Sequence, residues 1–69
     1  MIGNISEVIR ALREDAELSQ ERLAERIGAS RSQICVYEKR NICPSVYRFE
    51  DIVEACGYEL IIRKKGTKE

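Results

Sequence analysis

Leu18-Ser19-Gln20-Glu21-Arg22-Leu23-Ala24-Glu25-Arg26-Ile27-Gly28-Ala29-Ser30-Arg31-Ser32-Gln33-Ile34-Cys35-Val36-Tyr37-Glu38 is the stretch on which the fold turns. Ser19 caps a helix whose apolar stripe is Leu23, Ala24 and Ile27. Gly28 stops it, since glycine accepts the left-handed conformation in which many helices end. Only Gly28 and Ala29 precede the next start signal. Ser30 with Gln33 fits the S-x-x-Q capping box, and Ile34 and Tyr37 mark the inward side of the following helix. Two short helices joined by so tight a turn, the second capped and polar on one side, make a helix-turn-helix pattern.

Upstream, Ile5, Val8, Ile9 and Leu12 repeat at helical spacing behind Asn4, which with Glu7 forms an N-cap pair. This predicts a first helix over Ile5 to Asp15. Downstream, Lys39 to Cys43 reads as a polar loop. Pro44-Ser45 opens a fourth helix with Val46, Phe49, Ile52, Val53 and Cys56 facing inward, and Gly57 ends it. From Tyr58 the pattern changes to a β-rich run, Tyr58-Glu59-Leu60-Ile61-Ile62-Arg63-Lys64, between Gly57 and Gly66. Residues 1–57 are therefore expected to form the domain, 58–65 a strand and 66–69 a tail.

A lone strand leaves its backbone donors and acceptors unpaired. The economical partner is the same strand of a second copy, antiparallel across a two-fold axis, with Tyr58, Leu60, Ile61 and Ile62 at the interface. The alternative is a segment that packs on its own domain or continues the fourth helix.

Sixty-nine residues make one domain with a marginal core, which invites a disulfide, a metal, oligomerisation or very regular helix packing. The three cysteines, Cys35, Cys43 and Cys56, are odd in number with no secretory leader legible ahead of them. Reduced thiols in a cytoplasmic protein are expected, with Cys56 a small apolar core residue. There is no histidine and no CxxC spacing, so neither a metal nor another cofactor is expected. No apolar run approaches the roughly 18–20 residues that span a bilayer, so no membrane partner is expected.

The formal net charge is zero, but it is unevenly spread. From Arg22 to Arg48 six basic residues face only Glu25 and Glu38, a local charge of +4, while Met1 to Glu21 carries −3. The positive charge is concentrated in the middle third of the chain.

The run L-S-Q-x-x-L-A-x-x-I-G-x-S-x-x-x-I, then Glu38, then Pro44-Ser45 and on to Gly57, resembles the Cro/C1-type (XRE-like) helix-turn-helix regulators over roughly fifty residues. The resemblance implies an all-α, lambda-repressor-like fold of four helices, here with the short C-terminal β-strand pairing across a homodimer. It implies double-stranded DNA as partner, with the third helix in the major groove. Arg31, Ser32, Gln33 and Val36 are then the base-contacting candidates. Arg31 could bridge guanine O6 and N7 or hold a phosphate, and Gln33 could instead cap the helix. Val36 could meet a thymine methyl group or belong, with Cys35, to a protein interface; most relatives are polar at both positions. Gln20, Lys39, Arg40, Asn41 and Arg48 are the phosphate-contacting candidates. Arg13 and Glu38 are the positions at which the resemblance implies a salt bridge between the first and third helices; otherwise they are two separate surface charges. Glu17 and Lys39 stand where relatives often have glycine, which suggests locally altered turns.

Catalysis has little to stand on: without histidine there is no ordinary triad, and there is no P-loop or G-x-G-x-x-G. The expected function is a sequence-specific transcriptional regulator, a repressor binding an inverted repeat. The first alternative is the antitoxin of a toxin–antitoxin pair, which binds a toxin protein and represses its own operon, since relatives ending in such a strand include antitoxins. The second is a module that keeps dimerisation and has lost DNA binding, suggested by Cys35 and Val36.

Overall fold

Each helix begins where a short polar side chain accepts a hydrogen bond from the backbone three residues on, and there are four such caps in the computed structural model, which describes residues 4–66. Asn4 receives the Glu7 N–H ahead of α1 (Ile5–Asp15), and Ser19 receives Arg22 N–H ahead of α2 (Gln20–Ile27). Ser30 and Gln33 close a full capping box at α3 (Arg31–Arg40), and Ser45 receives Arg48 N–H at α4 (Val46–Ala55). A cap of this kind satisfies one of the donors that a helix leaves open at its start.

Three helices also end alike. After α1, Leu18 N–H returns to Arg13 O and Glu17 N–H to Glu14 O; after α2, Ala29 and Gly28 return to Ala24 and Glu25; after α4, Tyr58 and Gly57 return to Val53 and Glu54. This paired turn needs one residue in the left-handed region, supplied by Gly28 (φ 69°), Gly57 (φ 88°) and, without glycine's freedom, Glu17 (φ 59°).

One fully buried aliphatic side chain from each helix forms the centre: Ile9, Leu23, Ile34 and Ile52, with Ala24 and Cys56 beside them. Leu12, Leu18, Ile27, Tyr37 and Phe49 pack around this centre, half-buried. α3 packs on both α1 and α2, and α2 also packs on α4. The described residues thus form an all-α arrangement of four helices.

Three expectations are corrected. Lys39 and Arg40 are the last turn of α3 rather than the start of a loop, and the left-handed residue there is Asn41 (φ 53°). The turn at Glu17 is the one a glycine would make, so the chain keeps that geometry instead of altering it. Val46, in the first turn of α4, points outward and is 67% exposed.

Residues 58–66 form no strand within the single chain. A ladder needs a second strand, and the elements of the described residues are four helices. Residues 1–3 of the expected domain and 67–69 of the expected tail lie outside the described residues.

Candidate nucleic-acid interface

The orientation of α3 is held from its inner side. Ile34 is fully buried, Tyr37 half-buried, and Glu38 is 3% exposed although it carries a charge. The Glu38 carboxylate accepts from Arg13 Nε at 2.7 Å, Arg13 Nη2 at 3.1 Å and Gln20 Nε2 at 3.2 Å. Arg13 Nη1 donates to Leu18 O at 2.8 Å, and Arg10 Nη2 donates to the Glu38 backbone O at 3.3 Å. Bonding to Glu38 raises the Arg13 guanidinium above its ordinary value, against the opposing effect of burial. The pair therefore joins α1, the α1–α2 turn, the start of α2 and α3. A buried pair of this geometry fixes orientation more reliably than it adds net stability. Ser6 Oγ adds a second tie to α3, donating to Tyr37 O at 2.6 Å.

Burying Glu38 has an electrostatic effect on the opposite face. It is the only acid in α3, so the outer side presents Arg31, Lys39 and Arg40, all exposed, and no carboxylate. These three, with Ser32, Cys35 and Val36, line a shallow groove along the helix. Val36 is 36% exposed and Cys35 half-buried, so an apolar strip lies between the two cationic ends. A polar or methyl-bearing helix face of this size is what the major groove of B-DNA admits.

The other candidates are partly engaged inside the protein. Gln20 sits in the first turn of α2, where the leading N–H groups have no carbonyl one turn back, but its side-chain nitrogen is bonded to Glu38. Gln33 Oε1 accepts from Ser30 N–H, so this residue caps α3. Asn41 Oδ1 accepts from Ser6 N–H at 3.2 Å, and Arg48 Nη1 donates to Ile27 O at 2.8 Å, tying α4 to the end of α2. Of the phosphate candidates, Lys39 and Arg40 are exposed and border the groove.

Two features go beyond the local sequence pattern. Arg10 joins the Glu38 site, and its position one turn before Arg13 on the same helix face is the sequence signal for it. Tyr47, in the first turn of α4, is 82% exposed, and Ile42 and Val46 are exposed too; no spacing rule marks them.

The three thiols are free, and burial pushes that of Cys56 up, as befits a core side chain. Among the described residues no cluster of three or more His, Cys, Asp or Glu could hold a metal ion, and no helix is long and apolar enough to cross a membrane.

Residues 9–62 match the sequence profile of a family described as helix-turn-helix. No curated protein and no solved structure matches the chain.

Proposed function

The chain belongs to the Cro/C1-type helix-turn-helix family and is a DNA-binding regulator; we propose that it is a cytoplasmic repressor whose homodimer reads an inverted-repeat operator with one α3 in each half-site. The observation that carries this reading is the acid-free outer face of α3, with Arg31, Lys39 and Arg40 exposed while Glu38 is turned inward. Arg31 and Ser32 read base edges from the first turn of α3, and Val36 meets a thymine methyl group one turn further on. Lys39 and Arg40 hold phosphates on either side of the groove. Gln20 presents the open backbone N–H groups of the first turn of α2, Asn41 its side-chain amide N–H groups, and Gln33 and Arg48 contribute by positioning α3 and α4. Two copies are joined through residues 58–65, the strand of each completing the other's ladder.

Half-sites are then expected about 10 bp apart, or a multiple of that. Fluorescence anisotropy on the DNA upstream of the gene tests the reading. Binding should be tighter than to scrambled DNA, and the log–log salt slope should be about −0.9 per neutralised phosphate. Equal affinity for the two DNAs would remove the repressor reading. Arg31→Ala should cost about 1–3 kcal/mol and relax base preference at one position. A uniform loss across all sequences would move Arg31 to the phosphates.

A second reading, the antitoxin, is favoured by Ile61 and Ile62, which are 60% and 89% exposed and would be covered equally well by another protein. A neighbouring reading frame encoding a small protein that co-purifies with this chain and inhibits growth on its own would support it.

A further inference from the structure

α1 has an outer apolar stripe that the core does not use. Ile5, Ile9, Leu12 and Ala16 belong to the core, while Val8, Ala11 and the outer side of Leu12 line a shallow groove bounded by Asp15 and Tyr58. Tyr58 Oη donates to Asp15 Oδ2 at 2.6 Å, so the chain leaving α4 makes one wall. Glu7 and Glu14, both exposed and one turn to either side of Ala11, form an acidic rim.

The C-terminal segment has the complementary character. Leu60 is half-buried, Ile61 and Ile62 are exposed, and Arg63, Lys64 and Lys65 come next, all exposed. In extended backbone, residues 58, 60 and 62 share one side. Tyr58 and Leu60 lie against their own body; Ile62 has the same parity but is 89% exposed and does not line its own groove. One chain thus carries an apolar groove with an acidic rim and an apolar segment with a basic end that leaves the groove open.

We propose that the α1 groove of each protomer receives Ile62 of a second copy, with the Arg63–Lys65 cations of that copy against Glu7 and Glu14. The paired C-terminal segments then lie across both α1 helices, and the exchange is reciprocal, as a two-fold axis requires. This rests on the homodimer proposed above and assigns the surface on which it is seated. It leaves α3 of each copy, on another side of α1, free for DNA.

Two measurements on the full chain test it. Ala11→Arg places a long cation on the groove floor at an exposed position outside the core. Sedimentation velocity should show self-association weakened at least tenfold, with unchanged far-UV circular dichroism. In a Cys35→Ser, Cys43→Ser background, chains carrying Ala11→Cys should form a disulfide with separately tagged chains carrying Ile62→Cys. If both cysteines placed on one chain close within a monomer, the segment fills its own groove and the proposal is wrong. If Ala11→Arg associates as tightly as the parent and no inter-chain disulfide forms, the groove is not the seat although the dimer stands. A parent chain that is monomeric at every concentration overturns both the seat and the dimer.

Discussion

Glu17 holds a left-handed backbone at φ 59° where the paired turn after α1 demands it, and an L side chain there costs roughly 1 kcal/mol that glycine avoids. Glu17→Gly should therefore stabilise the fold by about that amount, a rise in melting temperature of about 4–8 °C for a domain of this size, read by thermal denaturation. Asn41 makes the contrasting case. Its φ of 53° is as strained in principle, but asparagine tolerates that region and its Oδ1 holds Ser6 N–H. Glycine there gives up a bond between α1 and the end of α3, so the gain expected at Glu17 is not expected at Asn41. Residue roles of this sort are only partly legible in the sequence. The partners of Gln20, Asn41 and Arg48 are Glu38, Ser6 and Ile27, far away in the chain, and no local pattern announces them.

Helix starts are legible because a cap is a local event: Asn4, Ser19, Ser30 and Ser45 each act on a backbone group three residues on. The end of α3 is not, because Lys39-Arg40-Asn41 suits a last helical turn as well as a polar loop, and the choice is made by Ser6 reaching across from α1. The outward direction of Val46 escapes the pattern for a related reason, since the first turn of a helix lies ahead of the stripe its later residues define. At this scale the capping box of α3 matters most, because Arg31 and Ser32 stand in the turn it organises. Ser30→Ala removes the acceptor of Gln33 N–H and should cost about 1 kcal/mol in urea unfolding. On the proposed reading of Arg31 and Ser32 it should also weaken DNA binding with little change in base preference, because it loosens their turn without altering either side chain.

As a whole, the molecule has one fully buried aliphatic side chain per helix at its centre, and a chain of this length buries too little to have much stability in reserve. If two copies share the 58–65 segment, association contributes to stability by mass action, and the melting temperature should rise with protein concentration. A melting temperature constant over a hundredfold range of concentration would argue for a fold complete in one copy. The four-helix architecture can be read from apolar spacing and caps, whereas the state of residues 58–66 cannot, since a strand is a property of two segments. The burial of Glu38 has one further consequence, in evolutionary terms. The residues that seat α3, Ile34, Tyr37 and Glu38, are separate from those that face out, Arg31, Ser32, Cys35 and Val36. Exchanges at the exposed members of that outward set, Arg31, Ser32 and Val36, fall where substitutions usually shift stability by no more than about 0.5 kcal/mol. A lineage built on this scaffold is therefore free to change what α3 touches while the residues that seat the helix stay under constant selection.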